Sequence, residues 1–197
     1  MWILYTIGLV LLISFAYAAN AGAPWVPTWK KDFERIVKLA DLKSGETFIE
    51  LGCGNGRVCR AIAARAPSPF EALPAGRQGE GGLPSEALAK DGGRGVVHVI
   101  GVELSLVQVA IAWLQSKLAG LSNIHIKLGN AFHTDLSNVD VVYMFLMPET
   151  YEKIRPKLEK ELKPGARVIT YVWPIPGWTP DVVDEVEGSQ KIYLFRR

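Results

Sequence analysis

A chain of 197 residues bounds the protein to one globular domain with at most an appendage. Its 22 Lys and Arg against 20 Asp and Glu leave +2, and 49% hydrophobic with 21% charged residues excludes both a disordered chain and an electrostatically driven nucleic-acid binder. Two cysteines, Cys53 and Cys59, and three scattered histidines, His98, His125 and His133, cannot build a disulfide framework or a zinc cluster, so no metal is expected.

Residues 1–19 (MWILYTIGLVLLISFAYAA) are apolar or small, and the first charged side chain is Lys30. At ~1.5 Å per helical residue this run reaches about 28 Å, close to the roughly 30 Å of a bilayer's hydrocarbon core, which predicts a transmembrane helix. The rival reading is a cleaved signal peptide, because Ala16-Tyr17-Ala18 has the small-x-small form of a cleavage site. No basic residue precedes the run, whereas Lys30, Lys31, Arg35 and Lys38 follow it. That asymmetry favours a single-pass anchor with the rest of the chain on the cytoplasmic side of a membrane.

Residues 20–28 are a linker punctuated by Pro and Gly, and the domain proper is expected over 29–197. Phe33, Ile36, Val37 and Ala40 share one face of a helix over Asp32–Ala40. Strand and helix then alternate: Thr47–Leu51 strand, Arg57–Arg65 helix, Val96–Glu103 strand, Leu106–Leu118 helix, Asn123–Leu128 strand. Val139–Leu146 is an unbroken apolar strand, as for one buried on both faces. Tyr151, Ile154, Leu158 and Leu162 recur at helical spacing, with Pro156 expected to kink or restart that helix. Ala166–Trp173 is a further strand, and Val182–Val186 with Lys191–Phe195 a closing hairpin. The alternation implies right-handed crossovers and a mainly parallel sheet. Residues 67–95 break it, with seven glycines and four prolines in 29 positions, and read as a disordered surface insertion.

Glu50-Leu51-Gly52-Cys53-Gly54-Asn55-Gly56 stands where the first strand gives way to a helix. Glycines there let the backbone bend sharply and admit a ligand without a Cβ in the way. A dinucleotide fold wants G-x-G-x-x-G/A, but the third place is Arg57, and a phosphate loop wants G-x-x-x-x-G-K-[ST], which Arg57-Val58 does not supply. A nicotinamide-dependent oxidoreductase is therefore disfavoured. The second carboxylate is Glu103, which closes the second strand where an open α/β sheet faces a ribose. It lies 49 positions beyond Gly54, and removing the 29-residue insertion leaves 20, the expected offset.

The acidic-x-G-x-G-x-G pattern resembles motif I of the class I S-adenosylmethionine-dependent methyltransferases. Pro24-Trp25-Val26-Pro27-Thr28, the apolar start, Gly52–Arg57, Gly101-Val102-Glu103-Leu104 and Trp173-Pro174 together look like the membrane-associated protein-lysine methyltransferases related to the enzyme that modifies the ATP synthase c-ring protein. The resemblance implies a Rossmann-like α/β class I fold with a mainly parallel seven-stranded sheet, a closing antiparallel hairpin and a preceding transmembrane helix. It implies S-adenosyl-L-methionine as cofactor, held by Glu50, Gly52, Cys53, Gly54, Asn55, Gly56, Glu103, Leu104, Asn130 and Ala131. Asn130 stands where such enzymes usually carry an acid toward the adenine amino group, and its amide oxygen can accept the same bond. The expected partners are a membrane-embedded protein with an acceptor lysine and, through residues 1–19, the lipid bilayer; no nucleic acid is expected.

Methyl transfer of this kind is mostly a problem of orientation, which can supply about 7–11 kcal/mol, and it asks for no enzyme nucleophile. An aromatic-lined, desolvated slot would depress the lysine pKa and favour a cationic methyl group. Tyr143 and Phe145 with Thr28 are the catalytic candidates, joined in the slot by Met144, Leu146 and Trp25. Trp173, Pro174, Pro176 and Trp178 are either a substrate lip or a rigid surface turn, and His133 is read as a loop residue. Two alternatives stay open: a small-molecule methyltransferase, and a membrane protein that binds S-adenosylmethionine without turnover.

Overall fold

The computed structural model describes residues 26–66 and 96–197, with positions 1, 2, 5, 6, 8 and 9 near the start. The expected span over 1–19 falls mostly, and the insertion over 67–95 wholly, outside the described residues, as do Pro24 and Trp25. Among the described residues no helix is long and apolar enough to cross a membrane.

Seven strands form one sheet in the order β3-β2-β1-β4-β5-β7-β6. They are β1 Thr47–Leu51, β2 His98–Glu103, β3 Ile124–Leu128, β4 Val141–Met144, β5 Arg167–Tyr171, β6 Val182–Asp184 and β7 Ile192–Arg196. The first five are parallel, and β7 runs antiparallel between β5 and β6, so the sheet is mixed with the expected hairpin at its edge. The helices are α1 Phe33–Ala40, entered through a 3-10 turn at Lys30–Asp32, α2 Arg57–Arg65, α3 Leu106–Leu118 and α4 Pro148–Glu161.

Side chains alternate between the two faces of a strand, and this splits the core. Phe48, Val99, Val141, Tyr143, Ile169 and Tyr171 pack with Ile36, Ala40, Val58 and Ile62 of α1 and α2. Ile49, Leu51, Val142, Met144 and Val168 pack with Tyr151, Ile154 and Leu158 of α4. The same alternation divides the expected four-residue slot: Tyr143 and Phe145 belong to the face of α1 and α2, Met144 and Leu146 to that of α4.

The apolar run of β4 stops at Met144 rather than Leu146 because the Tyr151 hydroxyl takes over the ladder. It accepts the Leu146 N–H and donates to the Met144 carbonyl, each at 3.1 Å. Pro156 neither breaks nor restarts α4, which is continuous over Pro148–Glu161. It lies on the exposed face, where the carbonyl deprived of its partner can turn to water.

The N-terminal segment is clasped to the hairpin by charge. Asp32, fully buried, accepts from the Tyr171 hydroxyl at 2.6 Å and from Arg35 at 2.8 Å. Arg35 also reaches Asp184 at the end of β6, at 2.6 Å, and the Gln190 carbonyl at 2.9 Å. Burial pushes the Asp32 pKa up, but hydrogen bonds from Tyr171, Ser189 and Arg35 prevail and hold it below the ordinary value. Asp32→Ala would strand Arg35 partly buried, so a loss of about 3–5 kcal/mol of unfolding free energy is expected in urea titrations. A loss under roughly 1 kcal/mol would show that the clasp is only a surface ion pair.

Candidate active site

Strand register places the site. Leu51 pairs with Val102 on one side and Met144 on the other, and Met144 pairs with Thr170. The next residues, Gly52, Glu103, Phe145 and Tyr171, therefore line the C-terminal edge of four adjacent strands. Successive connections from β1 and β4 leave toward opposite faces, which opens the crevice where parallel α/β sheets bind ligands.

The turn after β1 is shaped by positive φ at Gly52 (79°), Gly54 (51°) and Gly56 (72°), a backbone that L side chains rarely adopt. A Cβ at Gly52 would also sit 3.1 Å from Leu146 Cδ2. Gly52 and Cys53 donate their N–H groups to the Val102 carbonyl at 2.8 and 3.0 Å, which pins the turn to β2. Cys53 is buried, its sulfur 2.8 Å from where a Cβ on Gly101 would stand, so it fills space under the turn.

Glu103 faces that turn. Its Oε2 accepts the Gly54 N–H at 2.8 Å, and its Oε1 accepts those of Leu104 and Ser105 at 2.9 and 2.8 Å. Of about four lone-pair positions on a carboxylate, three are in use. One ribose hydroxyl can be received directly, and a second requires the Gly54 N–H to share or yield its place. Ser105 then caps α3, its hydroxyl accepting the Gln108 N–H at 3.5 Å.

Glu50 has another task. It lies beneath the turn, 5% exposed, and its Oε2 accepts the Cys59 N–H and the Cys59 thiol, each at 3.0 Å. Cys59 is the third residue of α2, so Glu50 satisfies one of that helix's free amides. Burial raises its pKa to about 8. Glu50 thus builds the turn from below and does not line the crevice, contrary to its expected place among the cofactor ligands.

Asn130 accepts the Phe132 N–H through Oδ1 at 2.9 Å, so the oxygen expected to serve an adenine already holds the short 3-10 turn Ala131–His133, with Ala131 half-buried beside it. The Asn55 side chain lies 3.4 Å from Arg57 Nε, and its carbonyl accepts from Arg60 at 2.6 Å.

On the acceptor side, the Thr28 and Tyr143 hydroxyls share a buried hydrogen bond of 2.8 Å, joining the Pro27-Thr28 segment to β4. Burial pushes the Tyr143 phenol well above its ordinary pKa, so it stays neutral. Phe145 stacks edge-on to Tyr171 with ring centroids 4.9 Å apart and lies 6.0 Å from Trp173. Trp173 follows Val172, a β-branched residue at φ 74°, a strained conformation of the kind that collects at functional sites. Sequence reasoning missed Asp32, Tyr171 and Tyr151; only the 32/35 helical spacing of an acid and an arginine offered a hint.

The residues present fit S-adenosylmethionine: a glycine turn, a carboxylate aimed at it from the next strand, and an aromatic wall beyond. Comparisons agree. Residues 78–182 match the family of the ANTKMT methyltransferase domain. A protein-lysine N-methyltransferase of Saccharolobus islandicus is 32% identical over 176 residues, covering 87% of this chain and 92% of that protein. The human lysine N-methyltransferase named for the ATP synthase c-ring protein is 26% identical over 87% of this chain and 60% of its own length. An RNA methyltransferase of Salinibacter ruber, solved with S-adenosyl-L-homocysteine, superposes with a TM-score of 0.68 at 25% identity, over 87% of this chain and 93% of that one. The chain belongs to the ANTKMT family of S-adenosylmethionine-dependent protein-lysine methyltransferases.

Proposed function

We propose that this chain methylates the side-chain amine of a lysine on a membrane-embedded protein, presented at the C-terminal edge of the sheet between the glycine turn and the Phe145–Trp173 wall. The observation that carries this reading is the buried Thr28–Tyr143 bond, which brings the N-terminal segment across β4 beside the turn. Glu103 and the turn from Gly52 to Gly56, with Cys53, Asn55, Leu104 and Ala131 around them, would hold the cofactor. When bound, S-adenosylmethionine supplies an activated methyl group. The chain's own residues orient the acceptor and exclude water. Phe145 and Trp173 offer ring faces to a cationic amine, and desolvation beside them lowers its pKa toward the neutral form. Neutral Tyr143 acts as a hydrogen-bonding guide, not as a base. RNA as acceptor is disfavoured by a chain whose net charge is only +2.

Residues 1–19 would tether the domain as a single-pass anchor, with the catalytic part on the cytoplasmic side. The uncharged run and the basic residues that follow it support this. Two relatives are named for membrane proteins, the ATP synthase c-ring protein and the adenine nucleotide translocase.

Purified full-length protein, given S-adenosylmethionine and membranes from cells lacking it, should transfer methyl groups to lysine, read by mass spectrometry. Tyr143→Phe should lower kcat by about five- to tenfold, the worth of one buried hydrogen bond, while cofactor affinity stays unchanged. Absence of methyl-lysine, or methylation confined to RNA or small molecules, would refute the proposal.

A further inference from the structure

Helix α3 turns its polar side inward. The side chains it buries against β2 and β3 are Gln108, Ala112 and Ser116, and the buried Gln108 side-chain oxygen lacks a hydrogen-bond partner. Its outward face carries Leu106, Ile111, Trp113, Leu114 and Leu118, all exposed, with Leu118 at 78%. On a 100° per residue wheel these side chains form one stripe, the reverse of what a helix facing only water and core should show. An exposed contiguous apolar face marks an interaction site.

Charge identifies the partner. Residues 51–66 and 104–134 contain Arg57, Arg60, Arg65, Lys117 and Lys127, and no carboxylate. Lys117 stands on the stripe, its ammonium 6.0 Å from the Trp113 ring. Gln115, beside Ile111 and Leu118 on the wheel, borders a pocket of about 400 Å³ walled by Lys30, Arg57, Arg60 and Arg65. Of these, Arg65 is paired with Glu34. Two copies packed through this face would bring like charges together with few acids between them. A nucleic acid would find one exposed ring for stacking and a row of aliphatic side chains. An apolar layer under a sheet of anions matches both features.

We propose that the outward face of α3 docks on the interface of an anionic lipid bilayer. Leu106, Ile111, Trp113, Leu114 and Leu118 enter the acyl boundary, and Lys117 with Arg57 and Arg60 meets the phosphate groups. This surface is separate from residues 1–19 and does not depend on the methyl acceptor.

Because residues 1–19 can themselves hold the chain on vesicles, the test must report position and not mere binding. Full-length Leu114→Cys, carrying a bimane label, is mixed with vesicles of brominated phosphatidylcholine with or without phosphatidylglycerol. Lys160→Cys on α4 serves as the control site. The label at 114 should shift to the blue and be quenched roughly twofold or more on the anionic vesicles, less on neutral ones and less at high salt, while the label at 160 is unaffected. Adding Ile111→Glu and Leu118→Glu should abolish the quenching and leave cofactor-induced thermal stabilisation intact. If that variant fails to fold, slowed amide exchange of α3 in the unmodified protein on adding anionic vesicles replaces it. A label at 114 that stays unquenched on vesicle-bound protein overturns the proposal. So does a blue shift that grows with protein concentration alone, which means a second copy, or one produced only by an RNA oligonucleotide.

Discussion

Glu103→Ala should weaken S-adenosylmethionine binding by about 10²-fold or more in isothermal titration calorimetry. Each hydrogen bond to a charged group contributes about 1.5–3 kcal/mol, and a ribose offers two hydroxyls to this carboxylate. The loss has a second source in the free protein. Glu103 accepts three backbone N–H groups, from Gly54, Leu104 and Ser105, and removing it leaves the turn after β1 without its tie to the end of β2. Glu103→Gln separates the two effects. It keeps one acceptor oxygen for the backbone, so the turn should persist while cofactor affinity falls by an intermediate amount. A dissociation constant within roughly threefold of the parent for Glu103→Ala, less than about 1 kcal/mol, would remove Glu103 from the cofactor site.

The second large effect concerns Glu50. Its carboxyl titrates near 8 in the folded protein and near the ordinary 4.5 when unfolded. Between these values the folded state holds a proton that the unfolded state has released, so unfolding free energy falls as pH rises, by up to about 1.4 kcal/mol per pH unit. The stability tied to the neutral carboxyl is fully present below 4.5 and is lost progressively as pH climbs toward 8. Glu50→Gln keeps an acceptor for the Cys59 N–H and has nothing to titrate. The difference between the two proteins should therefore widen from about pH 5 to 7 by about 2–3 kcal/mol in favour of the glutamine variant. Parallel stability curves in urea titrations across that range would mean that Glu50 is ionised in the folded protein.

The two acids illustrate how far sequence reasoning reaches. Glu50 and Glu103 look alike on paper, each closing a strand next to glycines. Which strand edge a side chain leaves from is fixed by alternation, and what it meets there is fixed by the helix packed above. Glu50 is the penultimate residue of β1 and points into the layer beneath α2, whereas Glu103 ends β2 and reaches the turn. Tyr143 and Phe145 could be picked out because the strand's apolar run announces burial. Their separation from Met144 and Leu146 follows from the pleat, and the link from Tyr143 to Thr28 spans 115 positions. The clasp from Asp32 to Tyr171, across 139 positions, left no local trace for the same reason. Asn130 kept its side chain for its own turn, a local competition that Asn often wins.

The sequence alone determined the alternation of strands and helices, the place of the glycine turn and the acid 20 positions beyond it once the insertion is removed, because hydrophobic period and backbone freedom are local properties. It also determined an apolar α3 without revealing that the apolar side faces out. Only the tertiary structure decided which side of α3 the sheet covers, which acid serves the crevice and which the helix above it, and how β5, β6 and α1 close over the edge. Those outcomes depend on which groups, distant along the chain, remain to satisfy a buried charge or a free amide once the layers have packed.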